Sequence, residues 1–178
     1  MGPVSAEVEV DAPRRRAFEL IADLSRRPSF TDHFLSDFHL TRVDPSGPGA
    51  GARFRIGLPL HAVWADTVIS TVEEPLAIVE HGYGGRGNRV PSRTAWELLE
   101  GPGSLIRIRV SYRTDPPTRL DRAVERLGGA AMWQGRAWRR ALHRMRDLLE
   151  SADAPRAQGA GVAGGGAHAV RARPAASS

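Results

Sequence analysis

The chain has 178 residues, no cysteine, and 25 basic residues, all arginine, against 20 acids, which excludes a disulfide scaffold, a thiol nucleophile and a cysteine-ligated metal centre. No apolar run approaches the roughly 20 residues of a membrane-spanning helix, and residues 1–10 lack the charged and apolar regions of a secretory signal, so a cytoplasmic location is expected. The formal charge of +5 is a small excess, uneven in its distribution, and it argues against a nucleic-acid partner.

Residues 151–178 are Ala, Gly, Pro, Arg and Ser with almost no large apolar side chain. Such a segment cannot bury enough surface to offset the entropy of ordering it, and a disordered tail is expected. Residues 1–150 are enough for one domain with a substantial core.

Val4, Ala6, Val8 and Val10 alternate with polar residues, the period of a half-buried strand. Asp11 then offers a helix cap ahead of Pro13, and Ala17, Phe18, Leu20, Ile21 and Leu24 give the following helix its apolar side. Phe30 and Phe34, four residues apart, suggest a second short helix or turn. Strands are predicted over roughly 38–43, 52–58, 63–73, 76–83, 93–100 and 105–114. Turn chemistry breaks them at Asp44-Pro45-Ser46-Gly47, Glu74-Pro75, the glycine-rich run 84–88 and Gly101-Pro102-Gly103. Short connections of this kind join antiparallel neighbours. Phe54, Ile56 and Leu58 oppose Arg53 and Arg55, and Ile106, Ile108, Val110 and Tyr112 oppose arginines, so the apolar sets face inward.

From about Thr118 to Glu150 a single long amphipathic helix is predicted. Leu120, Val124, Leu127, Ala131, Gln134, Trp138, Ala141, Met145 and Leu148 recur at the spacing of one face, and Gly128-Gly129 inside it suggests a bend. A late helix with an apolar stripe can bury it only on the inner face of the sheet, which makes the space between helix and sheet the place to look for function. The helix also carries Arg126, Arg136, Arg139, Arg140, Arg144 and Arg146. A solvated face is the preferred account, with docking on an anionic partner, such as peripheral contact with a membrane surface, as the alternative.

The opening Val8-Glu9-Val10-Asp11-Ala12-Pro13, the following Phe18-Glu19-Leu20-Ile21-Ala22-Asp23-Leu24, the strand Trp64-Ala65-Asp66-Thr67-Val68 running into Glu74-Pro75, and the closing helix resemble the START-like (SRPBCC) superfamily, in particular its polyketide cyclase/dehydrase and lipid-transport branch. The resemblance spans about residues 4–150. It implies an α+β helix-grip fold: a curved seven-stranded antiparallel sheet around a long C-terminal helix, with two short helices after the first strand. It also implies a cavity for a hydrophobic small molecule, used by a minority of members as a reaction vessel. No family-wide catalytic motif carries across, so fold analogy leaves function open.

Alignment on the family's Trp-to-Pro spacing places Trp64, Asp66, Val68, Ser70 and Val72 inward, with Ile78, Glu80 and Gly82 inward on the next strand. Asp66 and Glu80 are then candidates for acid or base chemistry in an apolar cavity. A slip of one residue would turn them to water and bring in His81 and Tyr83 instead. Phe54, Trp64, Trp96, Tyr112 and Trp138 form an aromatic set suited to lining a pocket, with core filling as the alternative. Gln134 is the one clearly polar residue in the helix's inward stripe, and a buried amide needs partners. The six histidines show no metal-binding spacing, and residues 82–88 lack the features of a phosphate loop, so neither metal nor cofactor is expected. The first reading is a binder or carrier of a hydrophobic small molecule. The alternatives are a cyclase or dehydratase using Asp66 with Glu80 or His81, and an interaction protein docking through its Arg-rich helix. Ligand identity and oligomeric state stay open.

Overall fold

The computed structural model describes residues 4–58, 61–127, 130–151 and 161–162. Strand β1 (Val4–Val10) leads into helix α1 (Arg14–Ala22), a 3-10 turn at Leu24–Arg26 and the short α2 (Pro28–Thr31). Strands β2 (Leu35–Leu40), β3 (Gly51–Gly57), β4 (Ala62–Glu73), β5 (Ala77–Gly84), β6 (Val90–Glu100) and β7 (Ile106–Thr114) follow, then helices α3 (Arg119–Leu127) and α4 (Ala130–Glu150). Sheet order is β1-β7-β6-β5-β4-β3-β2, every neighbour antiparallel. A two-residue strand β8 (Gly161–Val162) lies parallel to His39 and Leu40 at the β2 edge. The seven antiparallel strands curl into a half-barrel around α4, the helix-grip architecture that the family resemblance implied.

Alternation fixes which side of β1 is buried. Ala6, Val8 and Val10 are buried opposite Val110, Ile108 and Ile106 of β7, while Glu7 and Glu9 stand opposite Arg109 and Arg107 on the outer face. Directly opposed residues share a face, so apolar pairs meet inside and ion pairs of 3.2 and 3.1 Å form outside. Along α4, Gln134, Trp138, Ala141, Met145 and Leu149 are buried at spacings of three and four, the face pressed on the sheet.

Three sequence expectations change. Asp11 does not cap α1: Pro13 occupies the cap position without a side-chain bond, and the Asp11 N–H donates to Glu150 Oε1 at 3.0 Å, tying the end of β1 to the end of α4. The predicted single helix is two segments, and the Gly128-Gly129 bend lies outside the described residues. Leu120, assigned to the inward stripe, is 68% exposed on α3. Of the segment after Glu150, where a disordered tail is expected, all but Ser151, Gly161 and Val162 lies outside the described residues.

Candidate functional site

Between α4 and the sheet lies a cavity of about 30 Å3, room for one or two waters. Its lining divides by chemistry. Leu24, Phe34, Phe38, Phe54, Ile56 and Trp138 make an apolar half, and Arg27, Glu80, Thr94, Tyr112 and Gln134 belong to a polar seam. Phe54 stacks on Phe38 with centroids 5.4 Å apart and 5° between planes, and Trp138 meets Phe34 edge-on at 5.1 Å.

Glu80 points inward from β5 and is 2% exposed. Its Oε1 accepts from Arg27 at 2.6 Å and from Trp96 Nε1 at 2.9 Å, and its Oε2 accepts from the Thr67 hydroxyl at 3.0 Å. Arg27 also donates to the Ile21 carbonyl at 3.2 Å and sits 4.9 Å from the centroid of the Trp96 ring. A buried carboxylate is tolerated only when paired and hydrogen-bonded, and this one has a cation and two neutral donors. Such a carboxylate is a structural anchor, with its lone pairs engaged by the chain itself.

Asp66 departs from the family alignment. On β4 the inward set is Ala65, Thr67 and Ile69, while Trp64 is 40% and Val68 43% exposed. Pairing with β3 decides this. Trp64 stands opposite Arg55 and Asp66 opposite Arg53, and those arginines were already outward by alternation. Trp64 therefore lies under two guanidiniums, 5.2 and 5.9 Å from its ring centroid, on the outside of the sheet. The pocket assignment for Trp64 and the shared inward register of Asp66 and Glu80 are both corrected. Asp66 is half-buried at the cavity rim, accepting from the Tyr83 N–H at 2.9 Å and from Asn88 Nδ2 at 2.6 Å. Gly82 permits that approach, because a Cβ there would stand 1.9 Å from the Asp66 carbonyl oxygen.

The alternative slip does not apply to β5, where Ile78, Glu80 and Gly82 are buried and His81 and Tyr83 exposed. His81 is thus placed away from the cavity. Trp96 is fully buried behind the wall, serving Glu80 rather than the open space. Tyr112 and Trp138 reach the cavity as expected. Gln134 does too. It is 7% exposed, and its Oε1 has no hydrogen-bond partner among the described residues.

The residue that sequence reasoning missed is Arg27. Arg26-Arg27-Pro28 reads as a solvated turn, and no periodicity marks it. The available signal was indirect: an inward Glu80 demands a buried cation, and with no lysine that cation had to be one of the arginines.

A second cluster joins the turn after α2 to α4. His33 Nε2 lies 3.1 Å from the Ala137 carbonyl and Nδ1 lies 3.3 Å from Arg144, whose other partner is Asp32. A neutral ring donating from Nε2 and accepting at Nδ1 satisfies both contacts. Burial lowers the His33 pKa, with the neighbouring Arg144 and Arg140 charges acting in the same direction against the Ala137 bond and Asp32. The arginines of α4 divide likewise. Arg144 and Arg146 pair with acids, while Arg136 and Arg140 are exposed. Among the described residues no three His, Asp or Glu side chains converge as a metal site, and no helix is long and apolar enough to cross a membrane.

Comparison with known proteins gives no match to a family model or to a curated relative, but solved structures superpose over most of the chain. The solution structure of KanY has a TM-score of 0.67 at 13% identity, covering 85% of this chain and 100% of that one. The fold shared with these structures is the helix-grip fold. Major latex-like protein 151 from Panax ginseng gives 0.64 at 10% identity over 84% and 98% of the two chains. DynU16, a protein of the dynemicin biosynthetic locus, gives 0.57 at 19% identity over 85% of this chain and 48% of its own. At identities this low the superpositions establish the helix-grip architecture and leave the activity to the site itself.

Proposed function

We propose that this START-like domain binds a largely apolar small molecule between α4 and the sheet. The observation that carries the reading is the two-sided lining: aromatic and aliphatic side chains from β2, β3 and α4 on one side, and convergent polar groups from β5, β6, β7 and α4 on the other. That is the usual composition of a small-molecule site, with apolar area for affinity and a few polar groups for orientation. The cavity is far below the ~300 Å3 at which ligand pockets begin, so binding requires the aromatic wall of Phe34, Phe38 and Phe54 to move away from Trp138. Native mass spectrometry of protein purified from its own host tests the reading. A co-purifying lipid or polyketide-like mass lost on denaturation supports it. Ligand-free protein that also leaves the fluorescence of an added apolar dye unchanged would sink it.

A second reading, a polyketide cyclase or dehydratase, rests on Asp66, a carboxylate at the cavity rim that is not locked in an ion pair. With Glu80 engaged and His81 outside, Asp66 would work without its expected partners. Incubation with a linear poly-β-keto thioester, followed by mass spectrometry, checks this. Conversion lost in Asp66→Asn with binding intact would favour the enzyme, and absence of conversion in the wild type would favour the binder.

A further inference from the structure

Gln134 is a neutral polar group in this cavity whose amide oxygen the chain leaves unserved; the other unpaired atom of the lining, Arg27 Nε, belongs to a guanidinium already engaged through its Nη2. Gln134 is more than nine-tenths buried, lines the cavity from the inward face of α4, and its Oε1 has no hydrogen-bond partner among the described residues. A buried amide oxygen without a donor is destabilising by its desolvation. Its neighbours do not relieve it. Glu80 is taken up by Arg27, Trp96 and Thr67, and the Thr67 hydroxyl is spent as a donor to Glu80. A leucine of similar volume would fill the same position on α4 and avoid the cost.

The charge of the lining narrows what the amide could meet. The inward charges of the lining are Glu80 and Arg27, which balance each other in one ion pair. An anionic headgroup would enter a weakly screened space with no uncompensated cation to meet it. A neutral group meets no such barrier. A hydroxyl donates to the amide oxygen and accepts from the amide nitrogen, and so serves Gln134 whichever way its amide is turned.

We propose that Gln134 is a specificity-determining residue that hydrogen-bonds a hydroxyl of the bound molecule, and that the ligand class is neutral, hydroxylated and otherwise apolar, as opposed to a fatty-acid anion. This rests on the binding reading above. The opposing aromatic wall accounts for the apolar remainder of such a ligand, and the seam from Thr94 to Tyr112 continues the polar side beyond the amide.

The test uses three probes of one shape: 1-naphthol, 1-methylnaphthalene and 1-naphthoate, titrated into the full chain by calorimetry, with wild type and Gln134→Leu. Wild type should bind 1-naphthol about tenfold more tightly than 1-methylnaphthalene, the worth of one hydrogen bond to a group otherwise left unpaired, with 1-naphthoate weakest. Gln134→Leu should level the first two and raise the Tm of the ligand-free protein by a few degrees, since it removes an unpaired amide. Equal wild-type affinity for 1-naphthol and 1-methylnaphthalene, a preference that survives Gln134→Leu, or tightest binding of 1-naphthoate each overturns the assignment while leaving an apolar binder in place. Failure of all three probes to bind the wild type overturns the binding reading itself. The wild-type comparison stands whether or not the variant folds, and a lower Tm for ligand-free Gln134→Leu would show that the amide has a structural role and overturn the assignment as well.

Discussion

Two buried polar groups line the same cavity and are treated in opposite ways. Glu80, on β5, receives a cation and two neutral donors from three other parts of the chain, while Gln134, on α4, has no partner among the described residues. A carboxylate cannot be left bare in a protein interior, whereas a neutral amide can be held unpaired at a cost the fold survives. The satisfied group therefore belongs to the architecture, knitting the turn after α1 to β4, β5 and β6. The unsatisfied one is where a bound molecule has something to offer.

Breaking the satisfied side should have the largest effect. Glu80→Leu strands the Arg27 guanidinium in the core and is expected to cost about 3–5 kcal/mol, measured by chemical denaturation. The double variant Arg27→Met/Glu80→Leu should recover most of that loss, because the uncompensated charge is gone. If the two single losses simply add, Arg27 and Glu80 are not energetically coupled and the anchor reading fails.

Trp138 contributes to both the aromatic wall and the core. Trp138→Ala should cost about 3 kcal/mol, the low end for a buried aromatic, because the cavity already borders one side of the ring. A loss near 5 kcal/mol would mean the ring is packed all round and the cavity is irrelevant to it.

Asp66→Asn probes the rim. Its carboxylate accepts from a backbone N–H and an amide, so the expected cost is about 1 kcal/mol, with apolar-dye affinity unchanged. Asp66→Asn and Glu80→Leu should thus differ several-fold in their loss of stability, although both remove a carboxylate. Equal losses would erase the distinction between anchor and rim.

The smallest effect is a pH dependence. The folded-state pKa of His33 lies below its ordinary value of 6.5, so between those two values the unfolded chain binds more protons and stability rises with pH. The His33 contribution is complete above pH 6.5 and is lost as pH falls toward the folded pKa. His33→Gln should flatten that part of the stability curve. An unchanged slope below pH 6.5 would place the titration elsewhere.

The comparison of β4 with β5 shows how much of the site was legible in the sequence. Both alternations of β4 are mixed, Trp64-Asp66-Val68 against Ala65-Thr67-Ile69, so hydrophobicity alone gives no preferred face and the family spacing chose the wrong one. The pairing of β4 with β3 chose the other, setting Trp64 beside outward arginines and small Ala65 across from Phe54. On β5 the register taken from the same family spacing is the observed one, with Ile78, Glu80 and Gly82 buried. Gln134 was found because a glutamine in an apolar helical stripe is visible without any structure.

What the sequence determined by itself was local and periodic. Alternation in β1, β3 and β7 set their inner faces, turn residues set the antiparallel meander, and the three-and-four spacing set the inward stripe of α4, because each follows from the geometry of one element. What tertiary structure decided was pairing between elements far apart in the chain. The partner of Glu80 is Arg27, 53 residues away, the face of β4 is dictated by β3, and Asp11 is bound to Glu150 instead of capping α1. None of these is written in a local pattern, because a buried charge or an ambiguous strand is resolved by whatever the fold places opposite it.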